Sequence, residues 1–88
     1  MKRSKLEIIR DILKIIKENH NSIKPTPLIR KANLSSSRFK KYYTEISQKQ
    51  FVNEIGKKNS RQIHLTDKGL KFLEKYQIII NFVDEFGL

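Results

Sequence analysis

The chain has 88 residues and carries 19 Lys and Arg against 9 Asp and Glu, a formal net charge of +10. This length predicts one small domain with a thin core, and the charge favours a polyanionic partner, either nucleic acid or an anionic membrane surface. Cysteine is absent, which excludes disulfides and thiolate metal sites, and His20 and His64 are too far apart in the sequence to suggest a metal-binding pair. We expect no metal and no cofactor.

The charge is concentrated in one part of the chain. Residues 24–61 carry ten bases and two acids, a net +8, whereas residues 76–88 carry no base and two acids, a net −2. A basic centre and an apolar, slightly acidic end predict two separate roles. Charged residues interrupt the apolar N-terminal run, so we expect no signal peptide and no membrane span. We expect a soluble protein of the cytoplasm that is associated with the nucleoid.

The first predicted helix follows Ser4 and runs to about Glu18. Ser4 and Glu7 have the spacing of a capping box, in which each side chain bonds the backbone N–H of the other residue. Apolar residues cover about half of the helix circumference, which is wider than the stripe of an ordinary surface helix. We therefore expect this helix to pack against two neighbours.

The middle of the chain predicts two further helices. Thr26 as N-cap and Pro27 at the first helical position predict a short second helix that ends near Ala32. After a turn, Ser35 is the predicted N-cap of a third helix over about 36–49. Apolar residues at positions i, i+3, i+4 and i+7 predict its buried face, which consists of Phe39, Tyr42, Tyr43 and Ile46.

The last third of the chain predicts a hairpin and a long helix. Short runs over 51–55 and 61–65 contain β-branched residues and flank a basic, glycine-containing tip over 56–61. Thr66 is the predicted cap of the last helix. Apolar residues of this helix recur at 4-3-4-3 spacing and form a heptad seam. This seam is the candidate dimer interface and consists of Phe72, Tyr76, Ile79, Val83 and Phe86.

The element order predicts a winged helix-turn-helix, an α+β fold that is mainly α. We expect a winged-helix domain over 1–66 and, packed on it, a dimerisation helix over 67–88. In such a fold the third helix enters the major groove of DNA, and a basic hairpin tip, the wing, can lie on the backbone. The candidate DNA contacts of the third helix are Ser35, Ser36, Ser37, Arg38, Lys40, Lys41, Thr44 and Gln48. The candidate contacts of the wing are Lys57, Lys58, Asn59, Ser60 and Arg61.

Nearly the whole chain, from Lys2 to about Tyr76, resembles a known family. The segments "KRSKLEIIRDIL", "KANLS" and "LTDKGLKFLE" resemble the small archaeal winged-helix DNA-binding proteins, which include the chromatin-associated 10a class and related transcriptional regulators. The resemblance implies a dimer that is joined by antiparallel pairing of the long last helices and that binds double-stranded DNA. The chain extends only a little past Phe86, so we expect a shorter coil than in the 10a class.

We expect a sequence-specific transcriptional regulator that binds double-stranded DNA. Two alternatives stay open: a sequence-indifferent architectural protein of the chromosome, and an RNA-binding or protein-interaction module on the same fold. Stacking of Tyr42 and Tyr43 on single-stranded bases would belong to the RNA alternative. We predict no enzymatic activity, because no acid pair, Ser/His/Asp group or phosphate-cradling glycine loop stands out. No small-molecule ligand is evident.

Overall fold

The computed structural model describes residues 3–57 and 59–88. Within these ranges the elements are α1 (Lys5–Glu18), α2 (Pro25–Ala32), α3 (Ser36–Gln48), β1 (Val52–Ile55), β2 (Gln62–Leu65) and α4 (Asp67–Glu85). The strands form an antiparallel hairpin in which Val52 pairs with Leu65 and Ile55 pairs with Gln62. The predicted order of elements and the mainly helical α+β fold are confirmed.

Helix α1 lies at the centre of the fold. Ser4 Oγ accepts a hydrogen bond from the N–H of Glu7, and Glu7 Oε1 accepts one from the N–H of Ser4, both at 3.2 Å, so the predicted capping box is present. The helix packs against α2, α3, α4 and β2, which explains the width of its apolar surface. Its buried residues are Ile8, Ile9, Ile12, Leu13 and Ile16.

The start of α2 differs from the prediction. Lys24 is the N-cap, without a side-chain capping bond, and the helix begins at Pro25. The prediction of Thr26 as N-cap was wrong because both Pro25 and Pro27 fit inside the first turn. Backbone N–H groups in that turn have no intrahelical acceptor, so the missing N–H of proline breaks no bond. At the other end, Asn33 adopts a left-handed conformation with φ 56° and ends the helix.

Backbone contacts anchor the hairpin between the helices. Ile23, just before α2, exchanges two backbone hydrogen bonds with Ile63 of β2, at 3.2 and 2.8 Å. After β2, Thr66 Oγ1 accepts from the N–H of Gly69 at 3.1 Å and caps α4 as predicted. A Cβ at Gly69 would lie 2.3 Å from the carbonyl oxygen of Phe51. Only glycine therefore lets the start of α4 approach the hairpin this closely.

Helix α4 extends beyond the core. Its first half packs on the domain as far as Tyr76, which is 8% exposed. Beyond that point four large apolar side chains are exposed, namely Ile78, Ile79, Phe82 and Phe86, whereas Ile80 is half-buried. The molecule is accordingly elongated, with extents of 47 × 28 × 22 Å. None of the helices in the described ranges combines the length and the apolar character that a membrane crossing requires.

Candidate nucleic-acid interface

The outer side of α3 is the first part of the candidate interface. Ser35 caps the helix by accepting from the N–H of Arg38 at 3.2 Å. Phe39 and Ile46 are buried, which turns the polar side of the helix outward. All eight side chains that the sequence indicated on this helix are exposed: Ser35, Ser36, Ser37, Arg38, Lys40, Lys41, Thr44 and Gln48.

Contacts within α3 restrict two of these side chains. Lys41 Nζ lies 5.8 Å from the centre of the half-buried Tyr42 ring, within the range of a cation–π interaction. Thr44 Oγ1 donates to the backbone carbonyl of Lys40 at 2.8 Å. The hydroxyl proton of Thr44 is thus used inside the helix, and its oxygen can only accept from a ligand. Lys41 keeps its donors for an external partner.

The turn between β1 and β2, the wing, is the second part of the candidate interface. Its exposed polar residues are Lys57, Asn59, Ser60 and Arg61. The remaining predicted contact, Lys58, lies outside the described residues. The N–H of Ser60 donates to the carbonyl of Lys57 at 2.8 Å and closes the turn. Gly56 has φ +103°, and a Cβ there would lie 2.6 Å from the carbonyl oxygen of Ser60, so the turn requires glycine.

A three-residue bridge joins α3 to the wing. The Tyr43 hydroxyl donates to Glu54 Oε2 on β1, and Glu54 Oε1 lies 3.2 Å from Nη1 of Arg61 at the base of the wing. Tyr43 also stacks on Phe39, with ring centres 5.3 Å apart. The sequence prediction assigned no role to Glu54. Glu54 could have been noticed in the sequence because it is one of only two acids in the strongly basic segment 24–61.

Burial and the bridge raise the pKa of the Tyr43 hydroxyl, and the bridge also pairs the Arg61 guanidinium with a carboxylate. Burial raises the pKa of the Tyr43 hydroxyl well above its ordinary value of 10.0, and the hydrogen bond to Glu54 raises this pKa further. An ordinary phenol is already protonated at neutral pH, so the raised pKa extends its role as a donor into the alkaline range. The pair of Glu54 and Arg61 is partly exposed, and such pairs are weak in water. A phosphate group can consequently compete with Glu54 for the guanidinium.

A cleft of about 340 Å³ lies between the start of α2 and the wing. Lys24 and Arg61 line it together with Thr26 and Asn59. The fold therefore brings a base that precedes α2 next to the wing. Lys24 was not among the predicted site residues, although it is the first base of the basic segment 24–61. A helix N-terminus also favours anions, which adds to the positive character of this side of the molecule.

The first part of the predicted seam on α4 is covered within its own chain. Phe72 is half-buried and packs against the core. Tyr76 is buried, and the guanidinium of Arg10 on α1 lies 5.0 Å from the centre of its ring. These two side chains thus stabilise the packing of α4 on the domain.

The second part of the seam is open to solvent. Ile79 and Phe86 are 55% and 61% exposed, whereas Val83 is half-buried. Phe82, which lies outside the predicted seam, is 53% exposed, and its ring centre is 4.9 Å from that of Phe86. We call Ile79, Phe82 and Phe86 the apolar stripe.

Comparisons with known proteins agree with this architecture. The sequence model of the winged helix-turn-helix family matches residues 2–83. Sso10a-2, a DNA-binding protein from Sulfolobus solfataricus, is 19% identical and superposes with a TM-score of 0.77 over 96% of this chain and 85% of that chain. F93 from STIV, a winged-helix DNA-binding protein, is 16% identical and has a TM-score of 0.74 over 90% and 91% of the two chains. No curated protein matches the sequence.

Proposed function

The chain belongs to the winged helix-turn-helix family, and we propose that it binds double-stranded DNA with α3 in the major groove and the wing on the backbone. The observation that carries this proposal is the presence of two exposed polar surfaces, on α3 and on the wing, within a segment of net charge +8. We call these two surfaces together the basic face. DNA binding by two proteins of the same fold supports the proposal.

The chemistry of α3 favours sequence-specific regulation over an architectural role. Lys41, Thr44 and Gln48 are exposed and follow one another at i, i+3 and i+7, so they share one side of the helix. Together they offer donors and acceptors, which base edges in the major groove require. A sequence-indifferent protein would need only positive charge. The wing offers mainly such charge, at Lys57 and Arg61, and suits phosphate contacts.

The apolar stripe supports a homodimer as the active form. Each of its three large side chains is more than half exposed in the single chain. Contiguous exposed apolar surface of this kind marks a protein–protein contact in soluble proteins. A dimer through α4 would carry two basic faces, and dimeric helix-turn-helix proteins bind two half-sites on one duplex.

The test of DNA binding is a titration of labelled duplex DNA at several salt concentrations. If each subunit neutralises about four to six phosphates, the logarithm of the binding constant falls with the logarithm of salt at a slope of about −4 to −5 per subunit. Single-stranded DNA and a stem-loop RNA of equal length are the controls, and both should bind more weakly than the duplex. If the duplex, the single strand and the stem-loop all fail to bind at about 50 mM salt, or all bind with a slope near zero, nucleic acid is removed as the partner.

Selection of bound fragments from random DNA separates the two roles on DNA. A regulator should enrich a common motif and prefer it to random sequence by about 10³-fold or more. Recovery of strongly bound fragments without a shared motif would instead favour the architectural role.

A further inference from the structure

An apolar groove of about 570 Å³ lies between α1, the end of α3 and the first turns of α4. Its apolar lining residues are Leu6, Ile9, Phe51 and Phe72, and Leu6 is 49% exposed there. Lys5, Glu45 and Lys49 also line the groove. Lys5 is paired with Glu45 at 2.9 Å, and these three side chains together leave a net charge of +1. The groove is large enough for an aromatic side chain and has a positive border.

The spacing of residues on α4 relates this groove to the apolar stripe. Ile79 lies seven residues from Phe72, which lines the groove, and seven residues from Phe86, at the far end of the stripe. Seven residues make about two helical turns, so these three side chains lie on one side of α4. A pair of α4 helices that runs antiparallel about a two-fold axis at Ile79 therefore places Phe86 of each copy beside Phe72 of the other.

Charge favours this antiparallel arrangement over a parallel one. Residues 1–75 carry a net +12, because the whole chain carries +10 and residues 76–88 carry −2. A parallel pair would hold the two +12 segments at the same end and the two acidic ends side by side, and like charges repel in both places. An antiparallel pair separates the +12 segments. It also brings Asp84 and Glu85 of each copy toward the positive border of the groove in the other copy.

We infer that the groove is a docking site for Phe86 from a second copy of this chain, with Asp84 and Glu85 of that copy facing Lys5 and Lys49. This inference rests on the proposed dimer and defines the contact that completes it. Lys49 is the C-cap of α3. Docking therefore places the end of one α4 against the helix that carries the basic face of the partner subunit, so that dimer formation and the position of α3 are linked.

Engineered cysteines test the inference directly, because the chain has no cysteine of its own. A disulfide forms only where two Cα atoms come within about 7 Å. Chains with Leu6→Cys, mixed with an equal amount of chains with Phe86→Cys, should form a covalent dimer on mild oxidation. Neither chain alone should cross-link. Chains with Ile79→Cys alone should form a disulfide between the two cysteines at position 79, because Ile79 lies at the two-fold axis. Gln77→Cys, on the opposite side of α4, controls for random collision and should not cross-link.

The outcomes separate the groove from the dimer. Efficient cross-linking of Ile79→Cys without cross-linking in the mixture would reject the groove inference and leave the dimer intact. Cross-linking of Phe86→Cys to itself would indicate parallel helices and would also reject the inference. If sedimentation shows a monomeric wild type and Ile79→Cys does not cross-link, then the proposed dimer fails and the inference fails with it.

A measurement without cross-links tests whether Phe86 takes part in the dimer contact. Phe86→Ala should raise the dimer dissociation constant by roughly tenfold or more, because a buried aromatic anchor is removed. Ile78→Ala is the matched control, since Ile78 is 65% exposed but lies about 100° around the helix from Ile79. Its dissociation constant should change by less than about threefold. Equal effects of the two substitutions would contradict docking of Phe86. The circular dichroism spectra of both variants should match that of the wild type, which would show that both variants fold.

Discussion

The basic face and the apolar stripe are both exposed but have opposite chemistry. Helix α3 buries Phe39 and Ile46 and exposes polar and charged side chains, whereas α4 beyond Tyr76 exposes large apolar ones. Charged side chains are well solvated without a partner, but apolar surface is destabilising until it is covered. The basic face therefore suits a ligand that binds and dissociates, and the apolar stripe suits a lasting contact with another protein surface.

The apolar stripe is small, so the stability of the proposed dimer depends on the second contact, between Phe86 and the groove. Three side chains per copy, each about half exposed, amount to a contribution on the order of 5–9 kcal/mol when six of them are buried in a dimer. Association costs about 4–15 kcal/mol in lost translational and rotational freedom. The stripe alone would thus hold only a weak dimer. Docking of Phe86 in the groove would also bury groove residues that the stripe does not include, among them Leu6, which is 49% exposed.

The largest expected effect is the loss of the dimer on Ile79→Glu. This change places two uncompensated carboxylates at the two-fold axis, and burial of an unpaired charge is strongly unfavourable. Sedimentation at about 100 μM should show a dimeric wild type and a monomeric variant. The variant should also bind duplex DNA more weakly, because each monomer carries one basic face. Gln77→Glu adds the same charge on the opposite side of α4 and should remain dimeric. A monomeric wild type would contradict the proposal that the apolar stripe forms a lasting protein contact whereas the basic face binds DNA.

Within the basic face, Lys41 and Lys57 are expected to contribute to DNA binding in different ways. Lys41→Ala should cost about 1–3 kcal/mol on a selected site and less on a scrambled duplex, because α3 is proposed to contact base edges. Lys57→Ala should weaken binding to both duplexes alike and reduce the salt slope by about one, as expected for a phosphate contact. The adjacent Lys58→Ala is expected to behave like Lys57→Ala. Equal losses on both duplexes for Lys41→Ala would favour the architectural role.

A smaller effect of opposite sign is expected for Glu54→Gln. The substitution removes the acid that binds Arg61 and keeps a side chain of similar shape, so the guanidinium becomes available to phosphate. Affinity for any duplex should rise by a few-fold, and the salt slope should steepen by about one. Glu74→Gln, on the exposed side of α4, removes the same charge away from the wing and should have little effect. A loss of affinity in Glu54→Gln would mean that the bridge positions Arg61 for DNA.

The smallest effect concerns stability at alkaline pH. The pKa of Tyr43 is higher in the folded chain than its ordinary value of 10.0. Stability from this group is therefore fully present below about pH 10 and is lost as the pH rises toward the folded pKa. Urea unfolding should show the free energy of unfolding falling above about pH 10. Tyr43→Phe should make this fall less steep.

Local signals predicted most of the fold. Capping residues at Ser4, Ser35 and Thr66 and the spacing of apolar residues depend only on near neighbours, so the helices were placed well. The start of α2 was the exception. The sequence allowed the helix to begin at either Pro25 or Pro27. The backbone bridge between Ile23 and Ile63 holds the chain extended just before Lys24 and so fixes the start at Pro25. That bridge joins residues forty positions apart and leaves no local signal.

The order of elements, the polar side of α3 and the concentration of positive charge in the middle of the chain could all be predicted without the structure. Helical periodicity and composition are properties of short segments, so they can be recognised in the sequence without knowing how the segments pack. Which of these residues contact one another depends on the tertiary structure. It placed Glu54 between Tyr43 and Arg61, brought Lys24 beside the wing, and covered Tyr76 while Phe86 stayed exposed. Those contacts depend on how the helices pack around α1, because that packing joins segments that are distant in the chain.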